Sequence, residues 1–248
     1  MEPAPRARLT TRRRSRWGRR LAAFVVLALA AWLLWQWRTW PDVSALRTRN
    51  PTTTAFIERH RAEQRRTGRG SAVAWTWKPY AAISPDLKRA VLVAEDISFF
   101  SHSGFDVGEV KEALAKAVGE GTRPRGASTI TQQLAKNLWL SSAYDPLRKA
   151  KEALLTRQLE KKLGKRRILE LYLNTVEFGP GVYGAEAASV RYFGKSAAAL
   201  DEDEAAQLAA ALPRPRAWHP GVKTAAYRRY VASIRDRMDR AEFLRRQI

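Results

Sequence analysis

The chain reads as a mainly α-helical domain behind a single N-terminal membrane helix, and three observations predict this. Directly after an arginine cluster comes an uncharged 17-residue run, Leu21 to Trp37. From Ser84 onward, capping residues open and glycine or proline closes a succession of apolar-periodic segments. Strand-like alternation is nearly absent. The 248 residues suffice for one sizeable core. Cysteine is lacking, which excludes disulfides, a thiolate zinc site and a thiol nucleophile.

Residues 1–20 hold eight arginines against Glu2 alone and read as a basic cytoplasmic tail. Residues 21–40 read as a transmembrane signal anchor: as a helix the apolar run rises about 25 Å, near the lower limit for crossing a hydrocarbon core. Trp32, Trp35, Trp37 and Trp40 gather at its end, where indoles favour the membrane interface. A cleaved signal is the competing reading. Against it, the run exceeds the usual length of about 7–15 residues and ends in Trp-Gln-Trp-Arg, not in a small-x-small site. Arginines before the span predict one pass, with the N-terminus cytoplasmic and the body outside the plasma (inner) membrane. The formal charge of +21 calls for an anionic partner. Export turns that expectation away from nucleic acid and toward membrane lipids or a phosphorylated substrate.

Residues 41–80, rich in Thr, Arg and Pro, are expected as a linker or membrane-proximal segment, and residues 81–248 as the helical domain. Ser84-Pro85-Asp86 gives a cap, a proline at the first helical position and an acid near the positive helix end. Asp106-x-x-Glu109 resembles a capping box and starts a helix ending at Gly119. Asp145-Pro146 opens a long helix closed by Gly164. The segment from Lys165 to Asn174 reads as a helix, EFGPGVYG as a loop, and AEAASVRYF as a helix closed by Gly194. Asp201-x-x-Glu204 caps an alanine-rich helix, and an amphipathic helix starts at Thr224.

Three stretches could carry chemistry. Glu95 and Asp96 sit where the first of these helices, apolar at Ala90, Val91 and Ala94, meets a loop. Partial desolvation there raises a carboxylate pKa toward values useful in acid/base catalysis; a solvated helix end is the plain alternative. In GASTITQQLAKN, Gly126 to Asn137, the residues Ile130, Leu134 and Leu138 make one buried stripe. Gln132 and Lys136, flanked by Thr129, Gln133 and Asn137, make a face of neutral donors with one ammonium. Gly126 and Ser128 add free N–H groups at the helix start, a natural anion site. That face suits a sugar–phosphate ligand, with an ordinary polar surface as the competing reading. Arg148, Lys149 and Glu152 make either a routine surface ion pair or a second carboxylate with cations for a diphosphate.

Together these residues resemble glycosyltransferase family 51, the peptidoglycan glycosyltransferases. The pattern E-D-x-x-F-x-x-H-x-G-x-D is met by Glu95, Asp96, Phe99, His102, Gly104 and Asp106. Gly126 to Asn137 meet G-x-S-T-I-T-Q-Q-L-x-K-N, and Arg148, Lys149 and Glu152 meet R-K-x-x-E. A fourth block runs from Lys165 through Gly179, Gly181 and Gly184 to Lys195. The likeness is to the monofunctional members, since no transpeptidase domain follows these motifs. It implies a lysozyme-like, two-lobed helical domain that polymerises lipid II, the undecaprenyl-diphosphate disaccharide-peptide, onto a growing glycan chain with inversion. By the same resemblance Glu95 is the general base and Glu152 the second catalytic acid. Lys136, Lys149 and Arg148 neutralise the diphosphate, and Ser128, Gln132, Gln133 and Asn137 bind sugar and phosphate oxygens. Cell-wall synthesis or division proteins are candidate partners.

The chain departs from the family where many relatives carry an arginine before R-K-x-x-E: Tyr144 stands there, and Ser141 to Asp145 contain no cation. A divalent cation, magnesium or manganese, could be shared by Glu152 or Asp96, although no ligand cluster demands one. A wall-cleaving lysozyme-like enzyme and a catalytically silent assembly scaffold are the alternative functions.

Overall fold

The computed structural model describes residues 11–68, 70, 72–122, 126, 128–140 and 145–248, with side chains from Trp17 onward. The chain divides into two compact units between Asp42 and Val43. The first carries helix α1 (Thr11–Arg38), 28 residues and so about 42 Å long. It contains the whole apolar run Leu21 to Trp37 and ends two residues short of the expected span 21–40, leaves Leu21, Phe24, Leu27 and Trp37 exposed, and is long and apolar enough to cross a membrane. That is compatible with a single-pass anchor.

The second unit is mainly helical, as expected. Its helices are α2 (Ala55–Arg66), α3 (Pro85–Glu95), α4 (Val107–Glu120), α5 (Ile130–Trp139), α6 (Pro146–Lys162), α7 (Lys165–Thr175), α8 (Ala185–Phe193), α9 (Glu202–Ala211) and α10 (Ala225–Arg240). They pack in two groups: α3 with α9 and α10, and α5 with α2, α6 and α7. The local signals act where the sequence places them. Ser84 accepts from Asp86 N at the start of α3, and Asp145 from Leu147 N at the start of α6. Asp201 and Glu204 close a full capping box. Asp106 makes only its own half of one, accepting from Glu109 N, and α4 runs on to a left-handed cap at Gly121.

Residues 41–80, expected as a linker, are folded into the second unit from Val43 onward. Thr54 caps α2, and Ile57 and His60 are buried from it. Strand β1 (Ala74–Trp75) pairs in parallel with β3 (Val182–Tyr183), which also pairs antiparallel with β2 (Glu177–Gly179). The stretch EFGPGVYG is therefore a hairpin in a small sheet, not a plain loop. Asn174, fully buried at the end of α7, ties this ribbon down: its carbonyl accepts from Trp75 Nε1 at 2.6 Å and its Oδ1 from Lys78 N at 2.7 Å. Gly184 lets the chain pass close by, since its φ is +80° and a Cβ would meet Asn174 O at 2.7 Å.

Two features bear on the site. Arg89 of α3 is wholly buried and pairs with Glu202 of α9 and with Glu242 in the turn after α10, which fixes the helix that ends in Glu95. In α4 the apolar residues Val107, Val110, Leu114 and Val118 are exposed, Val118 to 83%.

Candidate active site

Glu95 is the last residue of α3, and its Oε2 accepts from Gln133 Nε2 at 2.7 Å. Gln133 is oriented in turn by the buried Tyr172 hydroxyl, which donates to its Oε1 at 3.0 Å. Burial, with the negative field of Glu95 and Asp96, pushes the Tyr172 phenol well up from 10.0, so it remains a donor. Burial also raises Glu95 from its ordinary 4.5, against the opposing pull of the Gln133 hydrogen bond and of Lys136. A half-buried carboxylate held by one neutral donor has the environment of a general base.

Asp96 has a different task. Its Oδ2 accepts from Ile130 N at 2.9 Å at the start of α5, and its Oδ1 meets His102 Nε2 at 2.9 Å. Gly104 N donates to His102 Nδ1 at 3.0 Å, so the ring proton lies on Nε2 and points at Asp96. Thr129 Oγ1 donates to Gly104 O at 2.8 Å. Gly104 itself has φ +92°, and a Cβ there would approach Thr156 Cγ2 to 2.8 Å. The acidic pair thus splits: Glu95 faces the cleft, while Asp96 fastens the following loop to the first turn of α5.

That first turn carries the donor-rich face. Thr129 and Gln132 form a capping box, with Gln132 Oε1 accepting from Thr129 N at 3.0 Å. Gln132 therefore offers only its NH₂ to a ligand. A cavity of about 590 Å³ opens on Ser128, Gln132, Gln133 and Lys136 of this stretch and on Arg148, Lys149 and Glu152 of α6. A smaller one of about 220 Å³ contains Glu95 and adjoins it, since Ser128 lines both. Asn137, also expected at the ligand, is buried and lines neither cavity.

In the larger cavity Glu152 is almost fully buried and bound by both neighbours: Arg148 Nη1 donates to Oε2 at 2.8 Å and Lys149 Nζ to Oε1. Arg148 Nε is buried without a hydrogen-bond partner. Burial draws the Lys136 pKa down from 10.5, partly countered by Glu152. The site is thus a partly open, net cationic cavity beside a smaller one that contains Glu95.

Sequence reasoning missed two cations. Arg59 of α2 lines the larger cavity together with Phe56, and Arg237 of α10 lines the smaller one, anchored by its Nη1 on Val93 O at 3.0 Å. Nothing local marks them among 45 lysines and arginines. Tyr144 lies outside the described residues. Among the described residues no three His, Asp or Glu side chains group to hold a metal ion. The carboxylates considered for one are engaged, Glu152 by two cations and Asp96 by His102 and Ile130 N. These residues do not fit a resident divalent ion.

The sequence profile of the transglycosylase family matches residues 62–239. A biosynthetic peptidoglycan transglycosylase of Thiobacillus denitrificans is 45% identical over 223 residues, 89% of this chain and 94% of that one. One from an Azoarcus species is 45% identical over 224 residues, 90% and 94% of the two chains. Another, from Laribacter hongkongensis, is 44% identical over 192 residues, 77% and 84%.

Proposed function

The chain belongs to the family of the biosynthetic peptidoglycan transglycosylases, and on that premise we propose that it polymerises lipid II into glycan strands at the outer face of the plasma membrane. The observation that carries this reading is the shared wall at Ser128: a chamber with a raised-pKa carboxylate opens beside a chamber lined by cations. In this reading the acceptor sugar's 4-hydroxyl is presented at the first and the donor's diphosphate lies in the second.

In this mechanism Glu95 takes the proton from the acceptor sugar's 4-hydroxyl as that oxygen attacks the donor's anomeric carbon. The new C–O bond forms on the face opposite the diphosphate, and the old C–O bond breaks with both electrons leaving on the lipid diphosphate. In-line displacement inverts the carbon. Lys136, Arg148 and Lys149 meet the charge that develops on the leaving group, and stabilisation of this kind acts most strongly at the more buried Lys136 and Arg148. Glu152 holds Arg148 and Lys149 in place and orients the donor. Ser128 and the free amide of Gln132 suit sugar and phosphate oxygens. An anchored enzyme meets a substrate confined to the bilayer at raised effective concentration, and the exposed apolar side chains of α4 support a further contact with membrane lipids.

Purified protein given labelled lipid II lengthens it into glycan; release of fragments from finished wall instead would overturn this reading in favour of a lytic enzyme. The rate also follows pH in a set way. Glu95 must be ionised, so kcat/KM falls as pH drops through a pKa held above 4.5. Lys136 must be protonated, so kcat/KM falls again as pH rises through a pKa held below 10.5. A bell-shaped profile whose acid limb disappears in Glu95→Gln checks the assignment; an unchanged acid limb removes it.

A further inference from the structure

Among the described residues four cations line the larger cavity, and two of them are already committed. Arg148 and Lys149 both pair with Glu152. Lys136 and Arg59 have no ion pair among the described residues, and Arg59 Nη1 is buried without any hydrogen-bond partner. A buried guanidinium N–H with no acceptor is costly unless a ligand supplies one. With Glu152 and Asp145 as the carboxylates among its described lining residues, and Glu177 acting on Arg59 from the neighbouring open cavity, the described lining of the chamber keeps an excess of two positive charges. A diphosphate diester carries one ionised oxygen on each phosphorus, so one free cation per phosphate is the complementary arrangement.

The fold brings Arg59 there deliberately. Thr54 fixes the start of α2, α2 packs against α5, which carries Lys136, and the guanidinium lies over the Phe56 ring at 4.1 Å. Stacking of this kind holds the planar fork in one orientation and leaves its edge for oxygen acceptors. Between Trp139 and Pro146 the only charged residue is Asp145, so that segment offers no cation for the task. Arg59 also lies upstream of the stretch that the family profile matches, residues 62–239.

We propose that Arg59, acting with Lys136 and beside the Glu152-held Arg148 and Lys149, is a further diphosphate-binding cation of the donor chamber. The assignment rests on reading this chamber as a diphosphate site. Full-length protein in detergent is titrated with inorganic pyrophosphate by calorimetry, as wild type and as Arg59→Gln, Arg59→Lys and Arg214→Gln, with thermal midpoints measured alongside. Arg214 serves as the control because it lines only the neighbouring open cavity that Arg59 also borders. Arg59→Gln weakens pyrophosphate affinity roughly tenfold, the scale of one charge-assisted hydrogen bond. Arg59→Lys falls between it and wild type, and Arg214→Gln leaves affinity unchanged. If Arg59→Gln melts lower, Arg59→Lys, which keeps the charge over Phe56, carries the comparison. Equal affinity in wild type and both Arg59 variants overturns the assignment, as does an absence of pyrophosphate binding by the wild type. Pyrophosphate binding that depends on Arg59 in a protein unable to extend lipid II would strike the polymerase reading and leave this one standing.

Discussion

Replacing Glu95 by glutamine is expected to lower glycan polymerisation by about 10²–10⁴-fold, the contribution of a positioned general base, while leaving the fold intact. The two halves of that expectation have separate causes. Glutamine keeps a carbonyl oxygen to accept from Gln133 Nε2, so the contact that ties α3 to α5 survives. It also removes a charge that the fold disfavours, because burial holds the carboxyl pKa above its ordinary value. The thermal midpoint should therefore stay level or rise slightly while turnover collapses. Lipid II turnover and a melting curve on the same preparation check both, and a Glu95→Gln enzyme that still polymerises would remove Glu95 as the base.

Asp96→Ala should do the reverse, damaging the fold first and activity as a consequence. It leaves the buried Ile130 N–H without an acceptor and His102 Nε2 without a partner. Two lost hydrogen bonds to an ionised group cost about 3 kcal/mol. For a chain of this size that lowers the melting midpoint by roughly 6–12 °C. Asp96→Asn should fall between, for a reason visible in the geometry. Its single carbonyl can still accept from Ile130 N. The amide nitrogen would then confront His102 Nε2–H donor to donor, since Nδ1 is engaged by Gly104 N. Thermal unfolding of the three proteins tests the order, and an alanine variant as stable as wild type would show that Asp96 does not clamp the loop.

The contrast between these neighbours shows where sequence reasoning reaches and where it stops. Caps such as Ser84, Asp145 and Asp201 act on N–H groups two or three residues away, so they are legible in the chain itself. The motif residues Glu95, Ser128, Gln132, Gln133, Lys136, Arg148, Lys149 and Glu152 gather around two adjoining cavities; their residue types suited a sugar–phosphate ligand but left an ordinary polar surface open, and the family resemblance supplied the rest. Asp96 shows a limit, because its Oδ2 is spent on the Ile130 N–H, 34 positions away, which only the folded loop brings near. Residues 43–80 show another. Strands of two or three residues have no periodicity to read, and α2 is held by tertiary packing on α5, not by its own composition. Arg59 was hidden for that reason, and Arg237 because a basic residue on an amphipathic helix reads as surface.

The buried guanidinium of Arg89 has a consequence for how the enzyme comes into being. A chain made amino end first produces α3 early, yet Arg89 waits for Glu202 and for Glu242, 153 positions downstream. Until both arrive, only Asp86, one turn away at 3.7 Å, offsets that cation, so burying it is poorly compensated and Glu95 has no settled place. Closing so long a loop is slow relative to local helix formation. The settled position of Glu95 is thus expected to depend on the docking of the later-made helix α9 and of the turn after α10.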